Sequence, residues 1–209
     1  YYDSVPGIYL TGQVKTKYQR SHPSMRQAGF QETDIVGIVK PITKYTKMIM
    51  NPEEIRYELE KAWYLAQEGR PGPVLLDLPI DIQKAEIDPD KLIGFDHEPI
   101  KRKYDVDQVD EKIKKYLEDL SKSKRPVILV GGGIRTAGAI EEILKVGEKL
   151  KIPIFPTWNA LDIISSDLYY YGGRVGTYGG RGRNFGIQNS DLLLGVGTRI
   201  SGRITGAKI

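Results

Sequence analysis

The chain has 209 residues, of which 40% are hydrophobic and 28% are charged, and this balance is typical of a globular protein with one large domain or parts of two. It has no cysteine, which excludes disulfides, thiolate metal sites and a cysteine nucleophile, and no apolar run of about 18 residues that would span a membrane. The absence of cysteine also fits a cytoplasmic protein, and the formal charge of +4 comes from basic residues interspersed with acidic ones, which argues against a nucleic-acid patch.

The first elements are predicted from short apolar runs. Residues 8–11 predict a strand that ends at Gly12, and the polar residues 14–29 predict a loop. A loop or short helix follows, and β-branched residues near 45–49 predict a second strand. The chain opens without Met and stops soon after a predicted strand, so we expect it to be part of a longer polypeptide.

The clearest helix is predicted over NPEEIRYELEKAWYLAQEG, residues 51–69. Asn51 is a good N-cap, Pro52 is tolerated in the first turn, and Glu54 completes a capping-box pattern. Gly69 supplies the C-terminal stop. The apolar residues at helical spacing are predicted to share the packed face: Ile55, Leu59, Ala62, Trp63 and Ala66.

The stretch GRPGPVLLDLPIDI, residues 69–82, connects that helix to a strand. Its continuous apolar run at 74–78 is typical of a parallel strand covered on both faces. Residues 84–103 have mixed charge with prolines and a glycine, which indicates a linker. We therefore predict a first domain over residues 1–83 and a second over residues 104–209.

The second part of the chain alternates strands with helices. A helix is predicted from the spacing of Val109, Ile113, Tyr116, Leu117 and Leu120. The run RPVILVGGGIRTAGAIEEILKVGEKLKIPIFPTW predicts a strand, a glycine turn, an amphipathic helix and a strand, and DLLLGVGTRI predicts a further buried strand. This alternation predicts an α/β fold, with parallel sheets and flanking helices in both parts.

Two glycine-rich segments are candidates for ligand binding. LVGGGIRTAG places three glycines between a strand and a helix, where free N–H groups favour phosphate, although a tight turn explains the same glycines. Residues 172–186 contain seven glycines and three arginines. They suit a backbone packed against a flat or phosphorylated ligand, and a flexible loop is the alternative.

Other polar residues give weaker signals. Arg199 and Arg203 follow the last strand at its carboxyl end and suit a pyrophosphate, with a pair of merely exposed arginines as the alternative. His22 and His97 fall in polar segments without partners at metal-ligand spacing, so we predict no metal site from protein ligands of this chain. By composition alone, AGFQETDI predicts only a capped turn that enters a helix.

Five segments carry a resemblance to a known family: YYDSVPGIYLTGQV, FQETDIVGIVKPITKY, GRPGPVLLDLPIDIQ, RPVILVGGGI and DLLLGVGTRISGRITG. In this order they resemble the catalytic large subunits of thiamine-diphosphate-dependent acetolactate synthases over nearly the whole chain. The resemblance implies that residues 1–83 are the C-terminal half of a pyrimidine-binding domain with the thiamine-diphosphate-binding fold. It implies that residues 104–209 are the first part of a Rossmann-like central domain. A homodimer or tetramer and a regulatory subunit are also implied.

The implied activity belongs to branched-chain amino acid biosynthesis: decarboxylation of a 2-keto acid such as pyruvate and ligation of the product to a second keto acid. Thiamine diphosphate and Mg²⁺ would be bound mainly by segments that this chain does not contain, so the chain alone is expected to be inactive. FAD is a further implied cofactor, without a redox part in the acetolactate reaction.

Site residues are implied by matching this sequence to the family motifs. Phe30 and Gln31 match a Phe-Gln pair that lines the active site, and Arg203 matches the end of an R-F-D-D-R run associated with the second keto acid's carboxylate and with the flavin. The positions implied to surround FAD are Gly131, Gly132, Gly133, Thr157, Trp158, Gly176, Thr177, Tyr178, Gly197 and Arg199.

Three departures from the family pattern leave the substrate open. Ile80 stands where synthases usually carry lysine, Ser201 and Gly202 replace two acidic residues in RISGR, and TYG replaces M-H-G. Such changes should alter carboxylate recognition. Another thiamine-diphosphate-dependent carboligase or decarboxylase is therefore an alternative, and so is a noncatalytic flavin- or nucleotide-binding paralogue.

Overall fold

The structure is a computed structural model that describes residues 1–97 and 106–206. The chain divides into two compact units, Tyr1–Lys103 and Tyr104–Ile209. Each unit is built on its own three-stranded sheet, and every strand pair within these sheets is parallel. The predicted α/β architecture is thus confirmed. None of the helices among the described residues is long and apolar enough to cross a bilayer.

The sheet of the first unit has the order β1-β3-β2. Its strands are β1 (Gly7–Gln13), β2 (Tyr45–Met48) and β3 (Pro73–Pro79). The helices are α1 (Ile35–Val39), α2 (Ile55–Gln67) and the short α3 (Ile80–Gln83). The central strand β3 is almost wholly buried, as its apolar run predicts, because it pairs on both edges and is covered by α2. Short 3₁₀ turns precede or connect these elements: Thr16–Tyr18, Lys40–Ile42, Pro52–Glu54 and Pro89–Lys91.

Helix α2 begins and ends where the sequence predicts, but two other predictions for it are wrong. The Asn51 side chain accepts a hydrogen bond from the N–H of Glu53 at 3.1 Å, and Gly69 follows the helix with φ +59°. The capping-box prediction for Glu54 is wrong, because its carboxylate accepts from Lys47 Nζ at 2.8 Å instead. The prediction that Trp63 packs on the sheet is also wrong: it is 64% exposed. The buried side of α2 includes Glu58, whose carboxylate accepts from Tyr45 and Lys47.

The sheet of the second unit has the order β5-β4-β6. Its strands are β4 (Pro126–Val130), β5 (Ile154–Pro156) and β6 (Leu192–Val196). The longer helices are α4 (Val106–Lys122), α6 (Ile140–Leu150) and α7 (Arg181–Gln188), with short helices α5 (Gly133–Thr136) and α8 (Gly202–Thr205). The core joins β4 and β5 to α6 and the loop after β5 through buried apolar side chains that include Ile128, Ile143, Ile154, Ile164 and Tyr170.

One prediction for this unit is corrected by the structure. Strand β6 is predicted to be buried, but its burial alternates and Leu193 is 38% exposed, because only one edge of β6 is paired among the described residues. The glycine-rich segment, for which the sequence predicts no secondary structure, contains α7. On α4 the apolar side chains of Val109, Ile113 and Leu117 are exposed within this unit.

Candidate functional site

Phe30 and Gln31 are the two central residues of a tight turn in the first unit. The N–H of Glu32 donates to the carbonyl oxygen of Gly29 at 3.0 Å and closes the turn. Gln31 has φ +69°, a left-handed conformation that costs roughly 1–3 kcal/mol for a residue with a Cβ. The side chain of Phe30 is 88% exposed. The turn therefore holds the predicted pair at the surface in a fixed, unfavourable conformation.

A buried aspartate ties this loop to the central strand. Asp77 of β3 is fully buried, and its carboxylate accepts from the Thr11 hydroxyl at 2.7 Å and from Gln13 Nε2 at 3.0 Å. Gln13 Nε2 also donates to the carbonyl oxygen of Thr33 at 2.7 Å. Because Thr33 lies two residues after Gln31, this network anchors one end of the exposed turn.

The carboxyl end of β3 is joined to the loop after β1 by a second carboxylate. Asp81 accepts from the Thr16 hydroxyl at 2.6 Å and from the N–H of Thr16 at 3.1 Å. The hydroxyl bond is the main reason that the pKa of Asp81 lies below its usual value. Ile80, the residue that departs from the family pattern, is half-buried beside this junction. Parallel strands place ligands at this edge of a sheet.

In the second unit, the three-glycine turn is packed against protein backbone. A methyl group on Gly131 would lie 2.6 Å from Thr198 Cα, and one on Gly133 would lie 2.8 Å from Gly197 Cα. The N–H groups of Gly131 and Gly133 donate to the carbonyl oxygens of Val196 and Gly197, both at 2.9 Å. At these two positions the structure favours the tight-turn explanation over a phosphate cradle, because the N–H groups are already bonded.

Gly132 and Gly197 have similar packing. A methyl group on Gly132 would lie 3.0 Å from the carbonyl oxygen of Asn159 in the loop after β5. Gly197 has φ +62°, and a methyl group there would lie 2.6 Å from the backbone nitrogen of Ile134. The glycines predicted to surround a flavin thus bring the loops after β4, β5 and β6 into contact at the carboxyl edge of the sheet.

A side-chain amide holds the glycine-rich segment. Asn184 of α7 accepts from the N–H of Gly176 at 2.9 Å and donates to the carbonyl oxygen of the same residue at 3.0 Å. The neighbouring Thr177 donates from its N–H and its hydroxyl to the carbonyl oxygen of Arg203 at 3.0 and 3.2 Å. Three predicted residues, Gly176, Thr177 and Arg203, are therefore in contact, and this part of the segment is an ordered loop.

Two exposed aromatic rings meet beside this loop. Trp158 and Tyr178 are 60% and 70% exposed, and their ring centroids are 5.0 Å apart in an edge-to-face arrangement. The preceding residue, Thr157, is buried and donates from its N–H to the carbonyl oxygen of Val130 at 2.8 Å. The pair offers apolar and π surface to a flat ligand.

The N-terminus of α7 is basic. Gly180 is the N-cap and supplies no side chain, while Arg181 and Arg183 lie in the first turn with exposed side chains. Cations are unfavourable at the positive end of a helix dipole. A bound anion there would compensate the charge of the arginines and the partial positive charge of the helix end. Arg199, predicted for the same ligand, follows β6 with an exposed side chain.

Over residues 1–97 and 106–206, no three or more His, Asp or Glu side chains cluster where they could hold a metal ion. His97 stacks on Phe95 with a centroid distance of 5.4 Å, and His22 bonds to Ser24 within its own loop.

Two contacts were missed by sequence reasoning. Glu32 binds backbone N–H groups of its own loop, and Asn184 binds the Gly176 peptide. The pattern Gly29 to Glu32 could have predicted a turn with a capping carboxylate. Asn184 gave no usable signal, since its partner is a main-chain group eight residues away.

Comparison with known proteins adds a family assignment for part of the chain. Residues 113–209 match the family described as "Thiamine pyrophosphate enzyme, central domain". This range contains β4, β5, β6 and the glycine-rich loop, and therefore every residue predicted to contact a flavin.

Nearly the whole chain is similar to curated proteins named as acetolactate synthase large subunits. The identity is 39% to the probable large subunit of Methanocaldococcus jannaschii, over 99% of this chain and 34% of that protein. It is 36% to the large subunit of Corynebacterium glutamicum, over 98% and 31%, and 33% to the isozyme 2 large subunit of Escherichia coli, over 98% and 35%. The chain thus spans about a third of the length of these relatives.

Proposed function

Because the chain belongs to the acetolactate synthase large-subunit family of thiamine pyrophosphate enzymes, we propose that it forms part of an enzyme that decarboxylates pyruvate and joins the product to a second 2-keto acid. The observation that carries this proposal is the similarity to synthase large subunits over 98–99% of the chain. We place residues 1–83 in a pyrimidine-binding domain, 84–103 in a linker and 104–209 in a central domain.

Phe30 and Gln31 are proposed to line the reaction site. Their turn presents an apolar ring beside a neutral amide, and the amide can both donate and accept hydrogen bonds. The ring would exclude water from the reacting carbon, and the amide would orient a keto-acid oxygen. Neither side chain titrates near neutral pH, so these residues would bind and orient rather than transfer protons.

Arg203 is proposed to bind the carboxylate of the second keto acid. Its guanidinium is the donor fork that suits a carboxylate. Its backbone is held by the two hydrogen bonds from Thr177, which leaves the exposed side chain to reach a ligand.

Thiamine diphosphate is the cofactor implied by the family, and when bound it accepts the electron pair released as CO₂ leaves. The exposed Phe30 ring and the Gln31 amide fit packing beside such a heterocycle. We propose Mg²⁺ as the partner of its diphosphate. The residues that the structure describes contain no cluster of three or more His, Asp or Glu side chains that could hold this ion.

FAD is proposed as a second bound group, and the residues fit it in part. The rings of Trp158 and Tyr178 suit a flat ring system, and the basic first turn of α7 suits a pyrophosphate. The N–H groups of Gly131 and Gly133 do not fit this role, because they are bonded to protein. If FAD binds, the purified protein should carry flavin absorbance, and Trp158→Ala should lose flavin on dialysis.

A second candidate is another carboligase or decarboxylase of the same superfamily. Ile80 lies at the carboxyl edge of the first sheet where the family usually has a cation, and Ser201 and Gly202 remove two acidic side chains near Arg203. A noncatalytic paralogue is a further alternative. The names of the relatives support a small regulatory subunit as a partner, and a homodimer or tetramer and a cytoplasmic location stay predictions.

One assay separates these functions. The protein is purified at the full length that its gene encodes and incubated with thiamine diphosphate, Mg²⁺ and a panel of 2-keto acids. Acetolactate from pyruvate supports the first proposal. Release of CO₂ from another keto acid, without acetolactate, supports the second candidate. Cofactor-saturated protein that consumes none of the panel supports the paralogue.

A further inference from the structure

One carboxylate closes the loop that carries the exposed turn. Glu32 Oε1 accepts from the N–H of Arg20 at 2.8 Å, and Oε2 accepts from the N–H of Ala28 at 2.7 Å and of Gly29 at 3.3 Å. The donors lie three, four and twelve residues before Glu32, so one side chain binds the main chain at the beginning and near the end of the loop. These bonds, that of Arg20 first, hold the pKa of Glu32 below its usual value.

The rest of the loop is arranged around this carboxylate. Gln27 Nε2 donates to the backbone carbonyl oxygen of Glu32 at 2.9 Å, and the Arg20 guanidinium pairs with Asp34 at 2.7 Å. A methyl group on Gly29 would lie 2.7 Å from the carbonyl oxygen of Tyr18, so the turn also packs closely on the chain before it. The main-chain geometry around Glu32 is thus set by several partners at once.

The turn needs such support because it is unfavourable in isolation. Gln31 adopts φ +69° and Phe30 exposes nearly its whole ring, so neither local propensity nor burial of the ring maintains this conformation. The stabilisation must come from the surrounding hydrogen bonds. Charge-assisted bonds from N–H groups to a carboxylate are the strongest of these.

We propose that Glu32 is a positioning residue, whose carboxylate presents Phe30 and Gln31 in a fixed orientation for the ligand of the enzyme. The importance of the orientation for turnover rests on the proposed function, whereas the support of the turn by Glu32 does not. A preorganised pair avoids the ordering of this loop during each catalytic cycle.

The test compares three variants of the full-length protein. Glu32→Ala removes all three acceptor bonds, and Glu32→Gln keeps one oxygen acceptor and removes the charge. Glu86→Gln is the matched control, since it removes the same charge from an exposed residue outside the loop. The readouts are amide hydrogen exchange at Ala28 and Gly29, the thermal midpoint, and kcat and KM for the keto acid that the wild type turns over.

The expected result is graded. Glu32→Ala should speed exchange at both amides and lower kcat by about tenfold or more, with little change in KM, and should lower the thermal midpoint because three charge-assisted bonds are lost. Glu32→Gln should fall between Glu32→Ala and the wild type, and Glu86→Gln should match the wild type. A general loss of stability would speed exchange throughout the first unit and not only at Ala28 and Gly29.

Two results would overturn the proposal. If both amides keep their protection in Glu32→Ala, the carboxylate does not hold the turn. If exchange accelerates while kcat is unchanged, the orientation does not matter for turnover. If the wild type itself consumes no keto acid, the proposed function fails, and the exchange data alone decide whether Glu32 supports the turn.

Discussion

Gly131→Ala tests the conclusion that the three-glycine turn exists for packing. The added methyl group would lie 2.6 Å from Thr198 Cα and closer still to the carbonyl oxygen of Gly197. Carbon atoms in contact are normally about 3.5–4.0 Å apart, so one backbone must move by roughly 1 Å. Both obstacles are main chain, and no side chain can rotate away to relieve the clash.

The magnitude follows from that movement. Overpacking of this kind costs about 1–3 kcal/mol. The shift also weakens the bonds from Gly131 to Val196 at the end of β6 and from Gly133 to Gly197, each worth about 0.5–1.5 kcal/mol. We therefore expect the free energy of unfolding of the second unit to fall by about 2–5 kcal/mol, measured by urea denaturation.

Gly182→Ala is the matched control, because it makes the same substitution in the first turn of α7. A methyl group at Gly182 meets nothing within 4 Å, so the higher helix propensity of alanine should stabilise the unit by up to about 1 kcal/mol. If Gly131→Ala unfolds at the same urea concentration as the wild type, the packing argument is refuted. If the two variants are equally destabilised, the effect does not come from the predicted clash.

Three further predictions concern other contacts. Asn184→Ala removes both bonds to the Gly176 peptide and should lower the free energy of unfolding by about 1–3 kcal/mol, with faster amide exchange at Gly176; exchange equal to the wild type would contradict this. The pKa of Asp191 is lowered from 3.8 to about 2, first by the Ser123 hydroxyl, so its stabilising effect is complete above pH 3.8 and is lost as pH falls through about 2. Asp191→Asn should therefore unfold at lower urea than the wild type near pH 6 and at a similar concentration at the acid limit; a gap independent of pH would contradict the assigned ionisation. Ile80→Lys should shift the preference among 2-keto acids in kcat/KM, and unchanged ratios would mean that the position does not contact the substrate.

Local signals predicted the elements that depend on local chemistry. The cap at Asn51, the stop at Gly69 and the apolar run of β3 all act within a few residues, and the structure confirms each of them. Burial was harder to predict where it depends on a distant partner. Trp63 lies on the apolar side of the sequence pattern but is exposed, whereas Glu58 is buried, because Tyr45 and Lys47 donate hydrogen bonds to its carboxylate.

Motifs predicted which residues form the candidate site, but they did not predict the geometry of those residues. Nothing in FQETD indicates that Gln31 has a positive φ or that Glu32 binds the N–H of Arg20, because both follow from how the loop closes. Likewise, the paired aromatics at Trp158 and Tyr178 lie on separate loops that only the folded sheet brings together.

By itself, the sequence determined the alternation of strands and helices, the caps and stops, and the motif order that identifies the family. Only the tertiary structure decided what the glycines do. In the sequence, GGG after a strand suits a phosphate as well as a tight turn. In the fold, Gly131 lies against Gly197, which is 66 residues away, and its N–H already donates to the carbonyl oxygen of Val196. A contact at such separation depends on strand order, and strand order is a property of the whole sheet.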